Sequence, residues 1–207
     1  MSITLALCII TGIISFQGFN NPNIVNSLKH YPVAEHQNKE YYRMLSSGFV
    51  HGGWMHLLIN LFVLYQFGPI VEKVYGQVFG EITGPIMYLF MYLATIVVAD
   101  LPTFFRHRNN PAYAAVGASG AVSGVVFIYI LFFPWAQLSL YGIIPFRAIV
   151  GGVAYLIYSS WASKNRQDGI DHSAHFYGAV FGMLLTIAFK PSLLSHFINE
   201  LTSGFPF

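Results

Sequence analysis

The stretch GASGAVSGVVFIYILFF, residues 117–133, contains the features that decide the fold. It carries no charged side chain, and together with residues 113–116 it is long enough to cross about 30 Å of hydrocarbon as an α-helix. Small residues recur in it at intervals of four, which lets one membrane helix approach another closely. The stretch therefore predicts a membrane-spanning helix that packs against neighbouring helices.

Apolar runs of similar length recur along the whole chain. Of its 207 residues, 55% are hydrophobic and only 9% are charged, a balance that the surface of a water-soluble domain does not tolerate. We expect an all-α membrane protein in which residues 1–207 form a single domain. The chain is predicted to cross the bilayer six times, at about residues 2–19, 54–75, 82–100, 113–133, 140–161 and 172–190.

The segments between and beside these spans narrow the class of protein further. Residues 20–53 combine several charges and many aromatic side chains, which predicts a long first loop at the membrane interface. The segment after Pro191 is too short and too polar to span again. Cys8 is the only cysteine, so the chain forms no internal disulfide. The net charge of +2 is small and scattered, which argues against a nucleic-acid partner.

The alternating direction of the spans brings polar residues to one side of the membrane. Spans two, four and six are parallel, and they begin on the face that holds the first loop. At a rise of about 1.5 Å per residue, the polar residues near these three ends lie within roughly 10 Å of one membrane face. These residues are His56, Asn60, Ser119, His172 and His175.

Ser119 is the candidate nucleophile. It lies in Gly117-Ala118-Ser119-Gly120, where small neighbours leave its hydroxyl accessible to a substrate carbonyl. The same small residues are also typical of plain helix packing, and the motif taken alone favours packing. The assignment therefore depends on a base nearby.

His175 is the candidate base. Gly178 and Gly182 follow it in the sixth span, so this span can approach the fourth closely enough for a neutral imidazole to accept the Ser119 proton. A histidine near a span end is by itself more often structural. Asp171 is expected to cap the helix rather than to complete a triad.

His56 and Asn60 are candidate donors to an oxyanion. Their i, i+4 spacing places both on one face of the second span. Acyl transfer requires such donors where negative charge develops. A hydrogen bond between helices is the structural alternative for Asn60.

Two other kinds of site are disfavoured. No metal site is expected, because the chain lacks a His-Glu-x-x-His motif and lacks a carboxylate placed to complete a coordination sphere around the histidines near this layer, which are His51, His56, His172 and His175. An aspartyl intramembrane protease needs paired aspartates inside the membrane, whereas Asp100, Asp168 and Asp171 fall at span ends.

The ordered motifs resemble the signature of the rhomboid family of intramembrane serine proteases. The match covers about residues 42–182 and consists of Arg43, the pair His56 and Asn60, the motif at 117–120, and the segment from Ala174 and His175 to Gly182. Residues 68–76 add a glycine, a glutamate and a glycine that resemble another family motif. In that family the glutamate fastens helix ends, so Glu72 is interpreted as structural.

The resemblance implies a rhomboid-type six-transmembrane-helix bundle with a long interfacial first loop. It implies a dyad of Ser119 and His175, an oxyanion and substrate-binding site at His56, Asn60, Gly117 and Ala118, and no cofactor. The implied partners are the lipid bilayer and transmembrane protein substrates, which would enter past span five. Pro145, Gly151 and Gly152 are compatible with mobility of that span.

The sequence departs from the family pattern at three points. Tyr42 stands where many relatives have tryptophan, which keeps an interfacial aromatic side chain. Ser123 stands where relatives often carry a tyrosine that stacks on the imidazole, so what orients His175 is open. More basic residues lie on the first-loop face than on the other, which opposes the extracytoplasmic active site that the resemblance implies for a bacterial plasma membrane.

Two other functions compete with proteolysis. A rhomboid-like protein that binds membrane helices without cutting them is the main alternative, and Ser123 is the sequence feature that favours it. A small transporter is a weaker alternative because the chain shows no internal repeat, no pair of broken helices and no charge near mid-membrane.

Overall fold

The computed structural model describes residues 2–140, 142–166 and 168–204, most of which are helical. The elements within these ranges are α1 (Ile3–Asn20), α2 (Pro22–Leu28), α3 (Pro32–Gln37), α4 (Arg43–Ser46), a 3-10 turn (Ser47–Phe49), α5 (Trp54–Phe79), α6 (Thr83–His107), α7 (Ser119–Phe132), β1 (Gln137–Leu140), β2 (Ile144–Arg147), α8 (Ala148–Asn165), α9 (His172–Phe189) and α10 (Ser192–Ser203).

The long apolar helices confirm a helical membrane protein. Four of them, in the part of the chain that the structure describes, are long and apolar enough to cross a membrane: α1, α5, α6 and α9. Helix α7 is apolar but has only 14 residues, which corresponds to about 21 Å. It is therefore shorter than the hydrocarbon core of a bilayer.

Helix α7 lies at the centre of the molecule. Eleven of its fourteen residues are buried, where α5, α6 and α9 surround it. The core also contains the fully buried Tyr75, Tyr88 and Tyr92. Large apolar side chains on the outer faces of the other helices are exposed, for example Phe62 on α5 and Ile157 on α8, as expected for surfaces that face lipid.

The predicted fourth span, residues 113–133, begins too early. The helix begins at Ser119, because Gly117 has a positive φ of 123° that a right-handed helix does not accommodate. Residues before it pair with the first loop instead. The N–H of Ala115 donates to the carbonyl of His30, and the N–H of His30 donates to the carbonyl of Ala115, each at 3.0 Å. The N–H of Gly117 donates to the carbonyl of Ser47.

The predicted fifth span, residues 140–161, also begins too early, and the all-α prediction is wrong in this region. Strands β1 and β2 form an antiparallel hairpin in which Gln137 pairs with Arg147 and Ser139 with Pro145. Pro145 has no N–H, so it is poorly suited to a helix interior and fits an isolated hairpin. Helix α8 begins only after the hairpin.

The second and third spans continue beyond their predicted ends. Helix α5 passes Pro69 and ends at Phe79, while α6 continues through Pro102 to His107. Polar residues in these extensions are held by hydrogen bonds. Thr103, for example, donates a bond of 2.8 Å from its hydroxyl to the carboxylate of Asp171. A helix with such partners does not need to end where its apolar run ends.

The predicted first loop is folded rather than extended. Its helices α2, α3 and α4 pack beside α1 and α6. Arg43 is buried and donates to the carbonyl of Asn26 at 2.8 Å and to the carboxylate of Glu40. A buried guanidinium with several acceptors holds these short helices together.

Glu72 has the structural role that the family resemblance implies. Its carboxylate accepts bonds of 2.8 and 2.9 Å from the N–H groups of Ile3 and Thr4, the first residues of α1. Backbone N–H groups at a helix N-terminus lack intrahelical acceptors, so this carboxylate caps α1 from α5. The segment after Pro191 forms α10, whose twelve residues are too few to span, as predicted.

Candidate active site

A cavity of about 1070 Å³ lies between α5, α7, α8 and α9. Its polar lining contains nearly all the residues that the sequence singles out: His56, Asn60, Gly117, Ser119, Ser123 and His175. Its apolar lining includes Phe127, Ile130 and Phe146. The structure therefore brings these candidate residues from three helices together around one space. Ala118, whose side chain is buried, lies in the backbone between two of them.

Ser119 is the first residue of α7 and is only partly buried. Its N–H has no acceptor among the residues that the structure describes. The N-terminus of a helix carries a partial positive charge and presents free N–H groups, so it favours an anion. A negative charge that develops next to Ser119 would therefore be stabilised by the backbone itself.

Gly117 and His56 are in close contact. A Cβ atom at position 117 would lie 2.7 Å from Nε2 of His56, and the positive φ of Gly117 is a second reason why a larger residue would not fit. The imidazole therefore lies against the backbone just before Ser119. This is where a donor to an oxyanion would be useful.

Asn60 lies one turn after His56 on α5 and is buried. Its side-chain N–H₂ donates one hydrogen bond of 2.9 Å to the carbonyl of His56. An amide nitrogen has two protons, so a second one is free for the cavity. The bond within α5 accounts for only part of its donor capacity.

His51 is a residue of the site to which the sequence assigned no role beyond an unlikely metal ligand. Its Nε2 accepts the N–H of Ala118 at 3.4 Å, its Nδ1 bonds to the Ser15 hydroxyl at 2.9 Å, and that hydroxyl donates to the carbonyl of Phe49. These bonds require the tautomer that is protonated on Nδ1. His51 thus fixes the backbone that precedes Ser119. Its place in a loop gave no periodicity from which this role could be predicted.

The charge state of His51 agrees with this role. Burial, with a smaller contribution from His56, lowers the pKa of His51 to about 3. Its imidazole is therefore neutral near neutral pH, and Nε2 is able to accept the Ala118 proton.

The contact between α7 and α9 brings Ser119 and His175 to the same cavity. A Cβ at Gly178 would collide with the carbonyl of Gly120, and one at Gly182 would lie 2.8 Å from the Cα of Gly124. The two backbones therefore touch along two turns, as the small residues predict.

His175 has an aromatic neighbour rather than a carboxylate. Its ring lies nearly parallel to that of Tyr155, with the centroids 6.1 Å apart and 20° between the planes. Asp171 caps α9 by accepting the N–H of Ala174, and it also accepts from Thr103 and Tyr113. Within the described part of the chain, no hydrogen bond joins the imidazole of His175 to Ser119 or to the carboxylate of Asp171; the N–H of His175 donates to the backbone carbonyl of Asp171 at 3.3 Å.

A buried polar cluster lies behind the cavity. Nδ1 of His30 is 2.7 Å from Glu35 and 3.9 Å from Asp100. Burial alone lowers the pKa of His30, but the hydrogen bond to Glu35 and the charges of Asp100 and Glu35 outweigh it and raise this pKa above its ordinary value. The cluster links the first loop to α6. The residues that the structure describes include no group of three His, Cys, Asp or Glu side chains placed to hold a metal ion.

A family model for the Rhomboid domain matches residues 38–192, which is well over half of the chain. The chain belongs to the rhomboid family. Rhomboid membership agrees with the helical membrane fold and with the location of the cavity inside the matched region.

Several curated rhomboid proteins are similar to this chain. The putative rhomboid protease YdcA of Bacillus subtilis is 27% identical over 72% of this chain and 67% of its own length. The rhomboid protease GlpG of Haemophilus influenzae is 33% identical over 59% of this chain and 58% of its own. The chloroplastic rhomboid-like protein 11 of Arabidopsis thaliana is 30% identical over 72% of this chain and 53% of its own length. The chain thus spans about half to two thirds of the length of these relatives.

Proposed function

We propose that this rhomboid protein is an intramembrane serine endopeptidase in which Ser119 is the nucleophile and His175 is the base. The observation that carries the proposal is the cavity in which Ser119, at the N-terminus of α7, faces the same space as His175, His56 and Asn60. Two of the relatives reported above are named as rhomboid proteases, which supports the same activity.

The proposed reaction has two steps. The Ser119 oxygen attacks the scissile carbonyl carbon while the imidazole of His175 takes its proton, and the protonated imidazole then gives this proton to the leaving amine as the C–N bond breaks. Water from the cavity attacks the acyl-enzyme in the second step, with His175 again accepting a proton and returning it to Ser119. The carbonyl oxygen becomes negatively charged in both steps. It receives hydrogen bonds from the N–H of Ser119, from His56 and from the free amide proton of Asn60.

Transmembrane helices of other proteins are the proposed substrates, and the bilayer is the setting of the reaction. Because α7 is shorter than the hydrocarbon core, one of its ends must lie inside the membrane or be covered by other parts of the chain. Residues 115–117, just before the end that carries Ser119, are hydrogen-bonded to His30 and Ser47 of the first loop. The apolar lining at Phe127 and Phe146 suits an unwound segment of a hydrophobic helix.

We also propose a single membrane domain with six spans and a first loop at the extracytoplasmic interface. Local contacts hold several of the basic residues on that face in place. Lys29 donates to Asn26, Arg43 to Glu40, and Arg166 lies 3.7 Å from Asp168. Basic groups that are held in a folded loop are weaker topology signals than free ones.

Purified protein provides the test of the activity. It should react with a fluorophosphonate and cut a model transmembrane substrate, and Ser119→Ala should abolish both because it removes the attacking oxygen. His175→Ala should abolish cleavage. Removal of either residue from a serine hydrolase reduces turnover by several orders of magnitude. Undiminished cleavage by Ser119→Ala would refute the proposal.

The competing function is capture of membrane helices without cleavage. The absence of a hydrogen bond between Ser119 and His175 in the described residues is the observation that favours it, although such bonds often tighten only when substrate is bound. A wild-type protein that retains the substrate, releases no product and does not react with a fluorophosphonate would establish the alternative.

A further inference from the structure

Among the described residues, the imidazole of His175 lacks a hydrogen-bond partner that would hold it in place. A general base next to a serine is usually oriented by a third group. The nearest carboxylates in sequence are otherwise engaged, since Asp171 caps α9 and Asp168 bonds to His172 at 3.2 Å. The orientation of this base therefore needs another explanation.

The ring of Tyr155, from α8, lies beside that imidazole and nearly parallel to it. Parallel, offset rings attract each other and also limit the rotation of each side chain. Helix α8 reaches this position because Gly152 lets it pack on Ile130 of α7, where a Cβ would lie 2.7 Å from the side chain. A ring from a different helix thus contacts the candidate base.

The hydroxyl of Tyr155 is itself held in place. It lies 2.6 Å from Oγ of Ser123, and Ser123 donates its only hydroxyl proton to the carbonyl of Ser119 at 2.7 Å. Tyr155 must therefore be the donor in the first bond. The chain of bonds runs from α8 to Ser123 and then to the backbone of the candidate nucleophile.

We infer that Tyr155 and Ser123 together form the positioning device for His175. This inference rests on the proposed function, since it concerns the base of that reaction. Ser123 holds the hydroxyl end of Tyr155, and the ring of Tyr155 holds the imidazole in the plane from which it reaches Ser119. Neither residue touches the reacting atoms, so both are positioning residues.

The structural alternative is that these contacts only stabilise the fold. A serine commonly bonds to a carbonyl one turn earlier, and a buried tyrosine commonly finds a partner for its hydroxyl. A purely structural role would lower thermal stability and leave the turnover of the folded enzyme unchanged. A positioning role lowers kcat and leaves KM nearly unchanged, because the substrate still binds while the base is misplaced.

The test measures kcat and KM for a model transmembrane substrate, the rate of fluorophosphonate labelling and the thermal unfolding of each variant. Tyr155→Leu should reduce kcat and the labelling rate by about 10- to 100-fold, since an error of 1 Å in position can cost about that much. Tyr155→Phe keeps the ring and should lose only a few-fold, as should Ser123→Ala. Tyr65→Leu, at an exposed tyrosine of α5, is the matched control and should behave as wild type.

A double variant keeps the test decisive if Tyr155→Leu folds poorly. Ser123 lies one turn after Ser119, and its hydroxyl contacts the hydroxyl of Tyr155. The double variant Ser123→Tyr with Tyr155→Ser therefore places a tyrosine ring in the same space, but from α7 instead of α8. Recovery of at least part of the lost kcat supports positioning. If Tyr155→Leu has the wild-type kcat while Ser119→Ala is inactive in the same assay, the inference about positioning is overturned and the proposed function stands. Activity that survives Ser119→Ala overturns the proposed function instead.

Discussion

His51 shows how a residue outside every recognised motif contributes to a site. It accepts the N–H of Ala118 and donates to Ser15, so it connects α1 to the backbone that precedes Ser119. A buried N–H without its acceptor costs about 1–3 kcal/mol. The geometry at Ser119 therefore depends on a neutral His51.

The stability of the protein should depend on pH through His51. Its pKa of about 3 in the folded protein is below the ordinary value of a histidine, about 6.5, so the unfolded chain binds more protons between these values. Stability should fall as the pH drops below about 6.5, by up to about 1.4 kcal/mol per pH unit from this group. Thermal unfolding in detergent between pH 4.5 and 7 measures the effect.

His51→Gln should be less stable than the wild type at neutral pH. Its stability should also depend less on pH between 4.5 and 7, because this titrating group is gone. His196→Gln, which removes an exposed histidine of α10, is the control. His30 acts in the opposite direction, since its raised pKa adds stability at low pH that is lost as the pH rises through the folded value. The same pH dependence in His51→Gln and wild type would contradict the role assigned to His51.

At the scale of the elements, the contact between α7 and α9 determines where Ser119 and His175 lie. The two helices approach so closely that Gly178 and Gly120 touch through their backbones. Contacts of this kind replace the hydrophobic effect, which does not drive helices together inside lipid.

Gly178→Ala should disturb this contact. The added methyl group would collide with backbone of α7, which cannot move aside as a flexible side chain could, so we expect a loss of about 1–3 kcal/mol. The separation of the helices should also reduce the labelling of Ser119. Thermal unfolding and fluorophosphonate labelling measure the two effects.

Gly76→Ala supplies the comparison for this substitution. Gly76 lies in α5 and nothing lies within 4 Å of the Cβ that alanine would add. An alanine there should leave stability unchanged or raise it slightly, since alanine favours a helix over glycine by about 1 kcal/mol. Equal stability of the two variants would show that the contact between α7 and α9 is not as tight as described.

At the scale of the whole molecule, the orientation in the membrane is the property for which the sequence carries two conflicting signals. The charge distribution points one way and the family resemblance points the other. The folded first loop helps to resolve this conflict, because Arg43 is buried among carbonyl and carboxylate acceptors.

Reporter fusions after Lys190 test the orientation. Six crossings with the first loop outside place this end of α9 in the cytoplasm, so a fluorescent-protein fusion should be bright and an alkaline phosphatase fusion inactive. A fusion after Gly80, at the end of α5 and on the same face, should give the same result. An active phosphatase at Lys190 would reverse the proposed orientation.

Composition and spacing determined much of this protein without a structure. Long uncharged runs predicted a helical membrane bundle, because the bilayer demands internally bonded helices of sufficient length. Small residues at intervals of four predicted that α7 and α9 touch, and the family motifs identified the rhomboid domain that the comparison confirms. The roles of Ser119 and His175 remain proposals.

Only the tertiary structure decided the rest. The start of α7 at Ser119 follows from the positive φ of Gly117 and from the pairing of Ala115 with His30, a contact between residues far apart in the sequence. The contact of Tyr155 with His175 likewise joins helices whose rotation about their axes no short pattern specifies. Periodicity reports which face of a helix is apolar, whereas contacts between distant segments arise from packing. For this reason the sequence alone left open what orients His175.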